Sequence, residues 1–252
     1  MAVRLADDPR LLDPHGGMAD LRGGVLRVLH DRSFVDDPTR ALRAARYAAR
    51  LALELEPQTA GLLRAADLQT VSAERVEAEL RRLVGEPDPA AALRLLVDWG
   101  RAEADVELAG AALAVLDEAR WAGIADRATA FLAAAGVKAG RYRAPAVADR
   151  ARELARLPPL RPSELTARAR GRTGVELAIA RALGADWLDR YVDEWRGVRL
   201  EIGGTDLLAE GVPEGPAVGR GLAAALAAKL DGQVGDRDQE LAIALEAARR
   251  DD

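Results

Sequence analysis

Cysteine is absent from this 252-residue chain, which excludes disulfides, a thiolate metal site and a cysteine nucleophile. Histidine occurs only at His15 and His30. Two imidazoles are too few for a His-rich metal centre and make a Ser-His-Asp relay an improbable reading. Lysine is confined to Lys138 and Lys229, so almost all positive charge is carried by arginine. Arginine makes planar, forked contacts where lysine places a point charge. Aromatic residues make up 4% of the chain, poor material for a β-sandwich core. The abundance of Ala, Leu and Arg favours packed helices instead. No apolar run approaches the roughly 20 residues of a membrane span. The first residues also lack the basic and apolar regions of a signal peptide, so the expected compartment is the cytosol.

What is present supports a folded protein. Hydrophobic residues reach 49% and charged residues 31%, enough to build a core and keep the surface wet. The length suits one large domain or two or three small ones. The net charge of −5 excludes a uniformly basic nucleic-acid binder. The charge is uneven, however. Residues 138–172 hold ten cations against the three anions Asp149, Glu153 and Glu164. Such a stretch fits a local grip on a polyanion, and it fits a solvated helix face equally well.

The first 35 residues do not read as helix. Val3-Arg4-Leu5 and Val25 to Leu29 read as short strands of a hairpin, separated by the turn cluster Asp13-Pro14-His15-Gly16-Gly17. From Asp37 onward helical periodicity takes over. Asp37 can cap a helix that opens on Pro38 and runs to about Leu53. Further helices are expected at 57–66, after Ser72 to Gly85, from Pro89, and near 104–121, 123–135, 144–156, 163–170, 174–183 and 185–196. Gly203-Gly204-Thr205 breaks the chain before a short helix at Asp206. Two longer helices follow, from Pro216 to Leu230 and from Asp236 to Arg249. The fold class is mainly α. Trp99, Trp121, Trp187 and Trp195 fall singly on helical stripes, where core anchoring is the ordinary role and base stacking the alternative.

The densest constellation of chemistry is Asp36-Asp37-Pro38-Thr39-Arg40, followed by Arg43, Arg46 and Arg50. On a helix these arginines share one face, with Ala and Leu opposite. A carboxylate that accepts and a guanidinium that donates can together match a nucleobase edge. A capped helix with a solvated arginine face explains the same residues. His30-Asp31 lacks the partners of a metal phosphohydrolase and reads as surface. Gly215 to Gly221 precedes a helix without the spacing of a P-loop. It reads as small residues for close packing or as a backbone site for an RNA phosphate.

Leu12-Asp13-Pro14-His15-Gly16-Gly17-Met18-Ala19-Asp20-Leu21, Leu26 to Leu29 and Phe34 to Arg50 together resemble the bacterial tRNA nucleotidyltransferase and poly(A) polymerase family of the class II CCA-adding type. Ser72-Ala73-Glu74-Arg75-Val76 with Glu79-Leu80 is similar to its next signature, and Gly204-Thr205-Asp206-Leu207-Leu208 with Pro213, Gly215-Pro216 and Gly219 to its tail. The resemblance spans nearly the whole chain. It implies a division into a head remnant (1–35), neck (36–100), helical body (101–200) and tail (201–252).

By that resemblance Asp37 and Arg40 pair with the base of CTP or ATP, Asp36 orients Arg40, and Arg43 and Arg46 complete the nucleotide site. Asp13, Gly16, Gly17 and Asp20 form the hinge between head and neck. Arg143, Arg150, Arg168, Arg170 and Arg172, with Gly215, Gly219 and Arg220, are expected to hold the acceptor and TΨC arm of tRNA. The family's Gly-Ser loop, its Asp-x-Asp pair for Mg²⁺ and its ribose motif have no counterpart in this sequence. No catalytic residue and no metal ligand is therefore expected in this chain, which taken alone is expected to be inactive. The expected activity of the family is template-independent addition of CMP and AMP to tRNA. The alternatives are a poly(A) polymerase, and a non-catalytic RNA-binding module or adaptor that has lost the head.

Overall fold

The structure is a computed structural model that describes residues 11–250 and the short strand Ala2–Val3. It is mainly helical, as the composition implies. Two compact units divide it: residues 1–117 with 123–148, and residues 118–122 with 149–252. Packing draws these units, so the boundaries at 100 and 200 that the resemblance implies fall inside them.

The first unit contains α1 (Gly17–Arg22), α2 (Ser33–Asp36), α3 (Arg40–Leu51), α4 (Pro57–Leu63), α5 (Ala73–Val84), α6 (Pro89–Asp98), α7 (Val106–Asp117) and α8 (Arg127–Ala135). The helix starts follow side-chain caps. Glu56, Ser72, Asp88 and Asp126 each accept a hydrogen bond from a first-turn N–H, which would otherwise be unpaired. One face of α3, formed by Ala41, Leu42, Ala44, Ala45 and Ala48, is fully buried. Four of those five side chains are methyl groups, so α3 can lie close against α5 and α6. Leu42 and Ala45 join Val76, Leu80, Leu83, Leu93 and Leu96 in one apolar core. A second, smaller cluster of Phe34, Ala41, Leu63 and Ala66 fastens α2 to the start of α3.

Two expectations for the first 35 residues fail. Ala2–Val3 pairs antiparallel with Leu11–Leu12, which makes a hairpin, but Val25–Leu26 has a different partner. It runs parallel to Glu54–Leu55, just beyond the end of α3. Arg4 and Leu5 lie outside the described residues. The segment is also not free of helix, since it holds α1 and α2. Apolar periodicity cannot show helices this short. α1 depends on the Asp13 carboxylate, and α2 on burial of Phe34. A further hairpin, Lys138–Ala139 with Tyr142–Arg143, occupies the chain just before the helix expected at 144–156. That helix is shortened to α9 (Ala148–Ala155).

The second unit contains most of α9, then α10 (Pro162–Ala169), α11 (Gly174–Ala182), α12 (Trp187–Asp193), α13 (Gly204–Ala209), α14 (Pro216–Leu230) and α15 (Arg237–Arg249). Trp121 is completely buried, and its indole N–H donates to Asp189 at 2.9 Å. Trp195 is also buried, which fits the anchoring role. Glu240, with no exposed surface, accepts from Lys229 Nζ at 2.5 Å and from the Glu201 N–H at 2.8 Å. Burial opposes its charged form, but these donors outweigh it and hold Glu240 below the usual carboxylate range. Among the described residues no helix is long and apolar enough to cross a membrane.

Gly221 settles part of the glycine-rich stretch in favour of packing. A Cβ there would lie 2.6 Å from the Ala244 carbonyl oxygen and 2.8 Å from Leu207 Cδ2. The absent side chain is what lets α14 approach α15. Gly221→Ala is therefore expected to destabilise, although alanine is the better helix former. Overpacking of this kind costs about 1–3 kcal/mol. A thermal melt should show the transition lowered by several degrees; an unchanged or raised midpoint would contradict the close approach.

Candidate nucleotide and RNA surface

The start of α3 is built by a short polar turn over a buried anchor. Phe34, 1% exposed, fixes α2. The chain then reverses through Asp37-Pro38-Thr39. The Asp37 carboxylate accepts the Thr39 hydroxyl at 2.6 Å and the Thr39 N–H at 3.1 Å. Asp37 thus caps the turn as its side-chain chemistry suggests, while regular helix begins three residues later at Arg40. Burial alone would raise the Asp37 pKa. The Thr39 hydrogen bonds, with the nearby Arg75 and Arg40 charges, outweigh burial and hold the carboxyl below its ordinary range.

Arg40 is exposed, and its Nη1 donates to the Ser33 carbonyl at 3.1 Å. Arg75 from α5 reaches Asp37 at 3.4 Å. Asp37, Arg40 and Arg75 therefore form one polar patch of an acceptor and two forked donors. Arg75 lies in a segment whose family likeness is visible in the sequence, but nothing local shows that it meets Asp37, 38 positions earlier. Asp36 is placed differently from its expected orienting role. Its carboxylate pairs with Arg32 at 3.1 Å, and the Arg40 guanidinium is held by a backbone carbonyl.

The arginine stripe is not simply solvated. Arg46, with a side chain 13% exposed, donates to Glu79 at 3.0 Å and Glu86 at 2.9 Å, and both carboxylates are buried. Arg82 also pairs with Glu79. Arg50 lies 3.6 Å from Glu86, and Arg43 lies 4.0 Å from Glu79. Arg43, Arg46 and Arg50 surround the Tyr47 ring at 5.9, 5.8 and 5.2 Å. Arg46 thus serves the interior of the unit, Arg43 its rim, and Arg40 faces outward.

The turn before α1 is also preorganised. Asp13 accepts the N–H groups of Gly17 at 2.8 Å and Met18 at 2.7 Å. The Met18 hydrogen bond leads in holding its carboxyl below the ordinary range. Gly16 has φ of +69°, a conformation that disfavours side chains. Asp20 pairs with Arg27 at 3.2 Å.

The basic stretch is partly neutralised, by carboxylates of its own and by others later in the chain. Arg150 lies 3.6 Å from Glu176, and Arg172 pairs with Glu153 at 2.9 Å. Arg161 lies 3.6 Å from Asp231. Arg143 donates to the carbonyls of Gly140 and Tyr142 at 2.6 and 2.7 Å. Among the described residues Arg168 and Arg170 pair with no carboxylate. At the start of α14, Gly215 and Gly219 are exposed with open space around them. Arg220, also exposed, meets the Arg250 carbonyl at 3.5 Å. His15 and His30 are exposed, and no three carboxylate or imidazole groups converge among the described residues.

Two measurements separate these roles. Arg46→Ala leaves two buried carboxylates short of a partner and is expected to cost about 3–5 kcal/mol. Arg40→Ala loses one partly buried hydrogen bond, worth about 1 kcal/mol. Chemical denaturation of both variants checks the contrast; equal losses would refute it. The depressed Asp37 pKa also has a pH signature. Its stabilisation is complete above the ordinary carboxylate pKa and is lost as pH falls through the lower folded value. Asp37→Asn should therefore melt below the parent at pH 7, and the gap should close on acidification below about pH 4. A gap that stays constant with pH would contradict it.

Known proteins match this chain closely, although no family model does. It is 36% identical over 250 residues to the CC-adding tRNA nucleotidyltransferase of Deinococcus radiodurans, which covers 95% of this chain and 61% of that protein. The A-adding tRNA nucleotidyltransferase of Halalkalibacterium halodurans is 41% identical over 106 residues, 39% of this chain and 25% of its own. The Thermotoga maritima CCA-adding enzyme, solved with tRNA, superposes with a TM-score of 0.73 over 93% of this chain and 67% of that one. At 24% identity that likeness concerns the fold. Other CCA-adding enzymes with this fold have been solved with ATP and with CTP. The chain is a homologue of the tRNA nucleotidyltransferases and spans about three fifths of the length of the Deinococcus radiodurans relative.

Proposed function

We propose that this chain supplies base selection and the RNA grip of a tRNA nucleotidyltransferase that adds CMP or AMP to the 3′ end of tRNA. The reading rests on the Asp37–Arg40–Arg75 patch, found on a chain that matches a CC-adding enzyme along 95% of its length. A base edge that both donates and accepts meets complementary groups there: Arg40 donates, and Asp37 accepts while staying charged. Thr39 holds the Asp37 carboxylate, so the patch is preorganised before the nucleotide arrives. Arg43 and Arg46 stand behind it. Arg46 acts by fixing α3, and Arg43 remains available at the rim.

The 1–35 segment would end the head, with Asp13, Gly16, Gly17 and Asp20 in its hinge. The neck, body and tail would follow at 36–100, 101–200 and 201–252. Mg²⁺ would supply the electrophilic part of the nucleotidyl transfer. The side chains described here do not fit a Mg²⁺ site, since no three possible ligands converge. CTP and ATP would be the substrates.

The second unit would hold the acceptor and TΨC arm by phosphate contacts. Arg168 and Arg170, without carboxylate partners among the described residues, are the strongest contributors. Arg150, Arg172 and Arg220 are partly engaged, and Gly215 and Gly219 open the α14 start to a phosphate; Arg143, in the first unit, would add its own phosphate contact.

The test uses the purified 252-residue protein. It is expected to bind tRNA, with affinity falling steeply as salt rises. Arg168→Ala/Arg170→Ala should weaken binding and lower the salt slope by about two, since each phosphate contact contributes roughly 0.9. With Mg²⁺, CTP, ATP and tRNA, the protein alone should incorporate no nucleotide. Absent tRNA binding would refute the RNA role, and incorporation would refute the assignment of catalysis elsewhere.

A further inference from the structure

The second unit contains a cleft of about 450 Å³ in which three guanidiniums face no acidic partner. Arg170 follows the end of α10, and Arg196 and Arg199 come from the segment after α12. Tyr191 and Trp195 line the same hollow, and Leu226 and Leu230 of α14 form an apolar wall. No carboxylate lines it. The acidic residues nearest in sequence are engaged by other cations. Asp193 pairs with Arg120 at 2.6 Å, Glu194 with Arg190 at 3.1 Å, and Glu201 lies 3.5 Å from Lys229.

Among the described residues Arg170 and Arg196 have no carboxylate partner. Arg199 donates to the carbonyls of Arg196 and Val198 at 2.9 and 2.8 Å. These bonds fix its guanidinium without neutralising it. Two other hollows with paired cations carry an anion in the lining: Glu214 beside Arg220 and Arg249, and Glu103 beside Lys138 and Arg143. A chain of net charge −5 that concentrates three uncompensated arginines in one concavity creates a local positive potential, focused by the apolar walls.

A second observation points the same way. Thr166, one helical turn before Arg170, lines the cleft and is 4% exposed, and its Oγ1 has no hydrogen-bond partner. A buried hydroxyl without a partner is unusual in a folded protein. It places a neutral polar group beside the three cations.

We propose that this cleft binds a single nucleotide unit. The phosphate sits among Arg170, Arg196 and Arg199, on the side of the cleft lined by Thr166, and the ribose and base lie against Tyr191 and the Leu226–Leu230 wall. The size suits such a ligand, since small-molecule sites begin at about 300 Å³. Arginine forks match phosphate oxygens, and an aromatic face accepts any base, so the site is tolerant of sequence. The nucleotide can belong to an RNA strand or be free. The first source rests on the proposed RNA role of this unit, and the second is independent of it.

The experiment uses the whole 252-residue protein and Arg196→Ala/Arg199→Ala. Both side chains are exposed, so the double variant is expected to melt with the parent. Two probes are titrated: a labelled tRNA acceptor–TΨC minihelix by anisotropy, and AMP by tryptophan fluorescence. For an RNA source, the double variant binds the minihelix at least tenfold more weakly, with a salt slope lower by about one, since a single phosphate is lost, and AMP leaves the fluorescence unchanged. For a free nucleotide, AMP changes the parent's fluorescence and the double variant loses that response. Minihelix binding equal in parent and variant, with AMP silent, overturns the cleft and leaves the RNA role standing. No minihelix binding but an AMP response lost in the variant keeps the cleft and overturns the RNA role. Silence of both probes with the parent overturns both.

Discussion

Arg46 is the side chain on which the first unit turns. Its guanidinium is nearly enclosed, and it holds Glu79 and Glu86, 33 and 40 residues away, in one network. A buried carboxylate without a cation is costly, so the three residues require one another. Their alignment sets the rotation of α3. The alanine face must then turn to the Leu42–Leu80–Leu96 core, and the start of the helix must meet Phe34 on one side and Arg75 on the other. The polar patch at Asp37 and Arg40 inherits its geometry from this packing.

The arginines consequently divide by environment. Arg46 and Arg181 are tied to carboxylates within their units. Arg40 and Arg43 sit at the rim of the first unit, and Arg168, Arg170 and Arg196 are exposed in the second without carboxylate partners among the described residues. An acidic protein can bind a polyanion this way, because interior and rim carboxylates neutralise some cations and leave others concentrated. Net charge alone hides the arrangement.

Much of the helical order was legible in the sequence. Ser72, Pro89 and Asp236 mark helix starts that the structure keeps, and Ser72 and Asp236 each accept a first-turn N–H. The misses have two causes, dependence on distant residues and elements too short to show a period. Val25–Leu26 looks like a strand, but its partner is Glu54–Leu55, fixed by where α3 ends. α1 and α2 are too short for periodicity to reveal. At the candidate site, Asp37, Thr39 and Arg40 could be read locally, because a capping carboxylate and its turn lie within a few residues. The engagement of Arg46 and the reach of Arg75 could not, since each depends on how α3 and α5 pack. The cleft of Arg170, Arg196 and Arg199 was invisible for the same reason: its walls come from α10, α14 and the turn after α12.

As proposed, the outward start of α3 reads the base and the inward arginine only holds the helix. Nucleotide choice is the decisive measurement, in an enzyme that joins this chain to the part of the Deinococcus radiodurans relative that it does not match. A site built to pair with a base leaves polar groups unsatisfied when a partner is removed, at about 1–3 kcal/mol. For Arg40→Ala and for Asp37→Ser, which keeps capping ability, kcat/KM for CTP and ATP should fall relative to GTP and UTP by roughly 5- to 150-fold, while the Arg40→Ala melting temperature falls by no more than about 4 °C. Parental selectivity in both variants would contradict the account and leave Asp37 a helix cap beside a surface arginine.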